Sequence, residues 1–82
     1  MDKQKISFPQ YRRYLNGKNY FRIDSLESFE EIRSLGQEWL IEKYQTRILP
    51  DHHLVNDLLY NYKGFAEEIS PETYELLRNR AK

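Results

Sequence analysis

From Leu26 to Tyr44 the apolar residues recur at spacings of three and four. Leu26, Phe29, Ile32, Leu35, Trp39, Leu40 and Tyr44 share one side of a helical wheel drawn at about 100° per residue. The pattern predicts a long amphipathic helix over residues 24–44, with Glu27, Glu31, Glu38 and Glu42 as an acidic ridge on its far side. Asp24 with Glu27, and Ser28 with Glu31, both fit the capping-box spacing for its start. None of the four glutamates has a Lys or Arg four residues on, and like-charged neighbours at that spacing oppose a helix by about 0.2–0.5 kcal/mol per pair. A ridge kept despite self-repulsion points to a basic partner, and the plainer reading is a solvated face. Gly36, in the middle of the apolar stripe, predicts close backbone approach by a neighbour, or else a kink.

Ahead of this stretch the pattern changes period. Tyr11-Arg12-Arg13-Tyr14-Leu15 and Asn19-Tyr20-Phe21-Arg22-Ile23 flank Asn16-Gly17-Lys18, and the second arm alternates large apolar with polar residues. This predicts a β-hairpin, because Asn-Gly tolerates the positive φ of a turn. A three-residue loop, 16–18, places Tyr11, Leu15, Phe21 and Ile23 on one face. Arg12, Tyr14, Tyr20 and Arg22 then share the other as an aromatic and guanidinium platform, with Arg13 and Lys18 nearby. A competing reading makes Pro9 to Leu15 a short helix stopped by Gly17. Residues 1–7 are polar and expected to fray.

After residue 44, Thr46-Arg47-Ile48-Leu49 is a short β-capable run stopped by Pro50. As a strand parallel to Tyr20–Ile23 it completes a right-handed crossover through the long helix. Asp51 is placed to cap a second helix with Leu54, Val55, Leu58, Leu59 and Tyr62 facing the core, and Gly64 is its stop. Phe65 and Ile69 are expected to fold back onto the same core. Ser70-Pro71-Glu72 opens a last helix whose buried side is Tyr74, Leu77 and Ala81. The resulting expectation is one small α+β domain over residues 1–82: a two- or three-stranded mixed sheet packed against three helices.

Composition narrows the chemistry. In 82 residues, 39% hydrophobic and 15% aromatic content suffices for a core, which separates the chain from disordered, aromatic-poor sequences. Without cysteine there is no disulfide, thiolate metal site or cysteine nucleophile. No apolar run is long enough to span a bilayer, and Met1 to Lys5 leads into no apolar segment, so a cytoplasmic protein is expected. Net charge is zero, yet residues 1–23 carry six Lys/Arg against Asp2, leaving the remainder acidic. That asymmetry neutralises itself within one fold or marks two surfaces for different partners.

Candidate reactive groups are few. Three glycines make a phosphate cradle improbable, and no nucleophile elbow or metalloprotease histidine pair occurs. His53 and Asp57 share a helix face at a spacing that suits a divalent metal, but two ligands do not make a site. Adjacent acids such as Glu67-Glu68 point in different directions, whereas acid–base work needs two carboxyls in unlike environments. The chain is therefore expected to act without catalysis, metal or cofactor. The reading that follows is a protein-interaction or regulatory module using the Tyr/Arg face, the acidic ridge or both. Single-stranded nucleic acid on the same Tyr/Arg face is the alternative, with zero net charge against it.

Overall fold

A computed structural model describes residues 6–46 and 49–81. Five antiparallel strands form one sheet in the order β4-β3-β2-β1-β5. They are β1 (Gln10–Tyr14), β2 (Asn19–Ser25), β3 (Ser28–Leu35), β4 (Glu38–Gln45) and β5 (Ala66–Glu68). Two short helices, α1 (Leu49–Tyr60) and α2 (Pro71–Arg78), complete the described structure. This overturns the expectation of a small mixed sheet against three helices: the chain is mostly sheet, and every strand pairing is antiparallel.

The predicted long helix is instead the β3–β4 hairpin. Phe29 and Ile32 lie three residues apart and therefore point to opposite faces of β3, yet both are buried. A strand covered on both faces loses its alternation, and buried positions of both parities then imitate helical spacing. Gly36 is not a point of close packing. It has φ +63° at the head of the two-residue Gly36-Gln37 loop between Leu35 and Glu38, and nothing lies within 4 Å of a Cβ built there. A glycine in the first loop position supplies the positive φ that such a turn requires. The apparent capping boxes belong to the tight β2–β3 turn, where the Glu27 N–H donates to Ser25 Oγ at 3.0 Å and the Ser25 and Ser28 hydroxyls meet at 3.1 Å.

The N-terminal hairpin forms, and the short-helix reading of Pro9–Leu15 fails, but the register differs from the expected one by one residue. Arg13 pairs with Tyr20 and Arg12 with Phe21, leaving a four-residue loop, Leu15–Lys18, with Gly17 at φ +74°. Because side chains alternate, that slip moves Arg12 and Tyr14 to the face of Phe21 and Ile23. Tyr11 and Arg13 move to the face of Tyr20 and Arg22, and Leu15 is exposed.

Each face then receives one helix. Val55, Leu58 and Leu59 of α1 pack with Phe21, Ile23, Phe29 and Ala66, and Leu54 and Tyr62 adjoin this cluster. The core-facing stripe of α1 is the one the sequence predicts as far as Leu59, but the helix runs from Leu49 to Tyr60 rather than from after Asp51 to Gly64, and Tyr62 joins the core from beyond its end. Residues 47–48 of the expected strand lie outside the described residues; Thr46 belongs to no strand, and Leu49 is helical. On the opposite face α2 buries Tyr74, with Leu77 and Ala81 partly buried. Its start is as expected: Ser70 caps it, accepting the Thr73 N–H at 3.0 Å, and Pro71 opens the first turn. β5, which pairs with β1, carries no sequence signature of a strand. Its three residues are too short for a period, and Glu67 and Glu68 give no apolar signal. Among the described residues no helix is long and apolar enough to cross a membrane.

Candidate protein-binding surface

Arg12 is buried, at 3% exposure, between β1 and the end of α1. Its Nε donates to the Leu58 carbonyl at 2.8 Å, Nη1 donates to the Tyr11 carbonyl at 2.8 Å, and its guanidinium lies 4.3 Å from the Tyr62 ring centroid. A cation at the C-terminal turn of a helix satisfies a carbonyl with no intrahelical partner and complements the dipole, so Arg12 ties α1 to the sheet. Tyr14 is likewise structural, its ring 4.9 Å from Phe21 and 5.8 Å from Phe65.

Arg22 lies on the other face in a charged network beneath α2. Glu30 there is fully buried, and its Oε1 accepts from Tyr74 OH at 2.8 Å and Arg78 Nε at 2.9 Å. Arg22 approaches Glu30 Oε2 at 3.6 Å and binds Asp24 at 2.9 Å. Burial alone would raise the Glu30 carboxyl; hydrogen bonds from Arg78 and Tyr74, with the charge of Arg22, hold it below the usual carboxylate range. The Tyr74 hydroxyl is raised, by burial first and then by its bond to Glu30. This network fastens α2 to the sheet and leaves Arg22 little freedom to meet a ligand.

The predicted platform is thus divided between two faces. A different group is half-exposed on the α2 face: Arg13, Tyr20 and Trp39, with Arg80, just past α2, lining a pocket beside Trp39. Trp39 stands nearly perpendicular to Tyr20, at 88° and 5.7 Å between ring centroids. Its cross-strand partner Ser34 is small, which leaves the indole room to lean over β3 towards β2. Arg13 sits 5.7 Å from the Tyr20 ring centroid and donates from Nε to Glu67 Oε2 at 2.8 Å. Tyr20 and Glu67 together raise its already high pKa, so it stays charged. Lys18 is exposed in the adjoining loop, where its carbonyl accepts the Ser34 N–H at 2.9 Å.

The acidic ridge does not exist as a helix face. Glu27 is exposed in the β2–β3 turn, and Glu38 is exposed at the start of β4. Glu31 and Glu42 are direct cross-strand partners on the α1 face. Their repulsion is offset by Asn19 Nδ2 donating to Glu31 at 2.6 Å and Arg33 Nε donating to Glu42 at 2.9 Å. The Tyr44 hydroxyl also donates to Glu42, and burial followed by that bond pushes its pKa up to about 12. His53 and Asp57 are both exposed on α1, and no group of three His, Asp or Glu side chains suited to a metal occurs among the described residues.

Trp39 is the surface residue that the helical reading hid. A Gly-X pair flanked by β-capable residues, Leu35-Gly36-Gln37-Glu38-Trp39, was the signal that would have exposed it. No family model, curated protein or solved structure matches this chain.

Proposed function

We propose that this chain is a non-catalytic protein-binding module, working in the cytoplasm, that takes its partner on the sheet face carrying Arg13, Tyr20 and Trp39. The observation that carries this reading is the perpendicular Trp39–Tyr20 pair, half-exposed beside a charged arginine on the sheet face that also holds α2. Trp, Tyr and Arg are the side chains that most often dominate binding energy at interfaces, since each buries a large area while keeping a polar end. Glu30, the fully buried acid, is saturated by Tyr74, Arg78 and Arg22, which supports a structural rather than acid–base role.

The single-stranded nucleic-acid reading lacks comparable support. Arg12 is buried under α1, Arg22 is bound by Asp24 and Glu30, and Arg13, though charged, is already paired with Glu67. The test is site-specific photo-crosslinking in the native cell, with the photoreactive residue placed at Tyr20, at Trp39 or at the control position Leu76, which is 69% exposed on α2. The same protein captured from Tyr20 and Trp39, and not from Leu76, is expected. Equal capture from all three positions, or capture from Leu76 alone, would refute the assignment.

A further inference from the structure

The two edges of the sheet are built differently. β5 is only three residues long, whereas β4 pairs with β3 over all eight of its residues, and no register shift breaks that ladder. Among the described residues no strand lies beyond β4. The Thr46 N–H donates to the Glu27 carbonyl at 2.8 Å, continuing the β3–β4 ladder, so even-numbered residues of β4 turn their backbone groups towards β3. Trp39, Ile41, Lys43 and Gln45 therefore turn theirs outward. A long edge rich in Trp39, Leu40 and Ile41, with no proline and no bulge, lacks most of the devices that normally block strand addition.

We propose that two copies of this chain pair antiparallel through β4, about a twofold axis at Ile41, into one continuous sheet. Charge selects the partner and the register. Side chains directly opposite must share a face, so an antiparallel β4–β4 pair can be centred only on a residue. Centring on Glu42 sets it against itself; centring on Lys43 does the same to Lys43; centring on Leu40 sets Glu38 against Glu42. Centring on Ile41 opposes Ile41 to Ile41, Trp39 to Lys43, Leu40 to Glu42 and Glu38 to Tyr44, with no like charges facing. It is also among the longest of these overlaps, and the outward-facing amides of Trp39, Ile41 and Lys43 meet outward-facing carbonyls.

The assembly closes at two copies, because each β4 is consumed and the short β5 is the remaining edge. An axis perpendicular to the sheet leaves both Arg13–Tyr20–Trp39 patches on one broad surface, so the dimer presents two contacts side by side. The pairing is made by the backbone edge of β4 and is read by mass and amide protection, so it stands or falls separately from the binding reading above, although it sets Trp39 beside the Lys43 of the second copy.

Sedimentation equilibrium across the micromolar range is expected to show the mass rising from 10.1 kDa towards twice that value. In the dimer the amides of Trp39, Ile41 and Lys43 should gain about tenfold or more protection from hydrogen exchange, while those of Leu40, Glu42 and Tyr44 change little. Ile41→Lys and Ile41→Glu, each confirmed folded by circular dichroism, should be monomeric alone and should dimerise when mixed in equal amounts. A wild type that stays monomeric, protection without the alternation, or a mixture that stays monomeric would overturn the proposal.

Discussion

Replacing Glu30 with Gln removes the charge on which the α2 attachment converges. Glu30 is fully buried and serves Tyr74, Arg78 and Arg22. Deleting one partner of a fully buried ion pair costs about 3–5 kcal/mol, because the other charge is left without compensation. Here the stranded cations keep access to water, since the Arg78 and Arg22 side chains are 34% and 22% exposed. Hydration recovers part of the loss, and the expected cost is about 2–3 kcal/mol. For a chain of this size that is a large share of a total stability of roughly 4–12 kcal/mol.

Urea unfolding followed by Trp39 fluorescence measures the effect, Trp39 being the sole tryptophan. With a slope near 1 kcal/mol per molar urea, the midpoint at pH 7 should fall by about 2–3 M with the slope unchanged. The pH dependence carries the sharper signature. A carboxyl held below its unfolded value contributes stability that is complete above that value, 4.5 here, and is lost as pH falls through the folded value. The deficit of Glu30→Gln should therefore be constant near neutrality and should shrink below about pH 4.5 as the wild type protonates Glu30. A loss under 1 kcal/mol at pH 7, or a deficit independent of pH down to the acid transition, would refute the reasoning.

Arg12→Met keeps the aliphatic bulk but frees the Leu58 carbonyl and the Tyr62 ring, so stability should fall by about 1.5–3 kcal/mol in thermal melts. Gly36→Ala should also destabilise, by about 1–2 kcal/mol, through the positive φ of the turn alone, since there is open space for the methyl group; chevron analysis would report it. Ser70→Ala removes the cap of α2 and should cost about 1 kcal/mol in the same melts, a small fraction of the Glu30 effect. Titration with a short single-stranded oligonucleotide at low salt should leave tyrosine fluorescence flat, because the arginines of the expected platform already have protein partners; salt-sensitive quenching would reinstate that reading.

The difference between what was legible and what was not follows covering and register. The core stripe of α1 and the Ser70-Pro71 start of α2 were legible because a helix on one face of a sheet keeps its period, and a cap is a local chemical fact. The Asn-Gly hairpin was legible as a hairpin, but nothing local chooses between a three- and a four-residue loop. That choice alone moved Arg12 and Tyr14 beneath α1, away from Tyr20 and Arg22. Helical spacing puts the acidic residues on one face, whereas pairing sets Glu31 opposite Glu42, buries Glu30, and leaves Glu27 and Glu38 at turns.

Sequence alone determined a foldable aromatic core, the placement of both helices to within a few residues, the absence of cysteine chemistry and the zero net charge that disfavours polyanions. Tertiary structure decided that residues 28–45 are strands, which tyrosines and arginines share a surface, and that β4 is an open edge. The physical reason is that a sheet covered on both faces erases the alternation of its strands. Only the partner strand and the covering helices then fix where each side chain points.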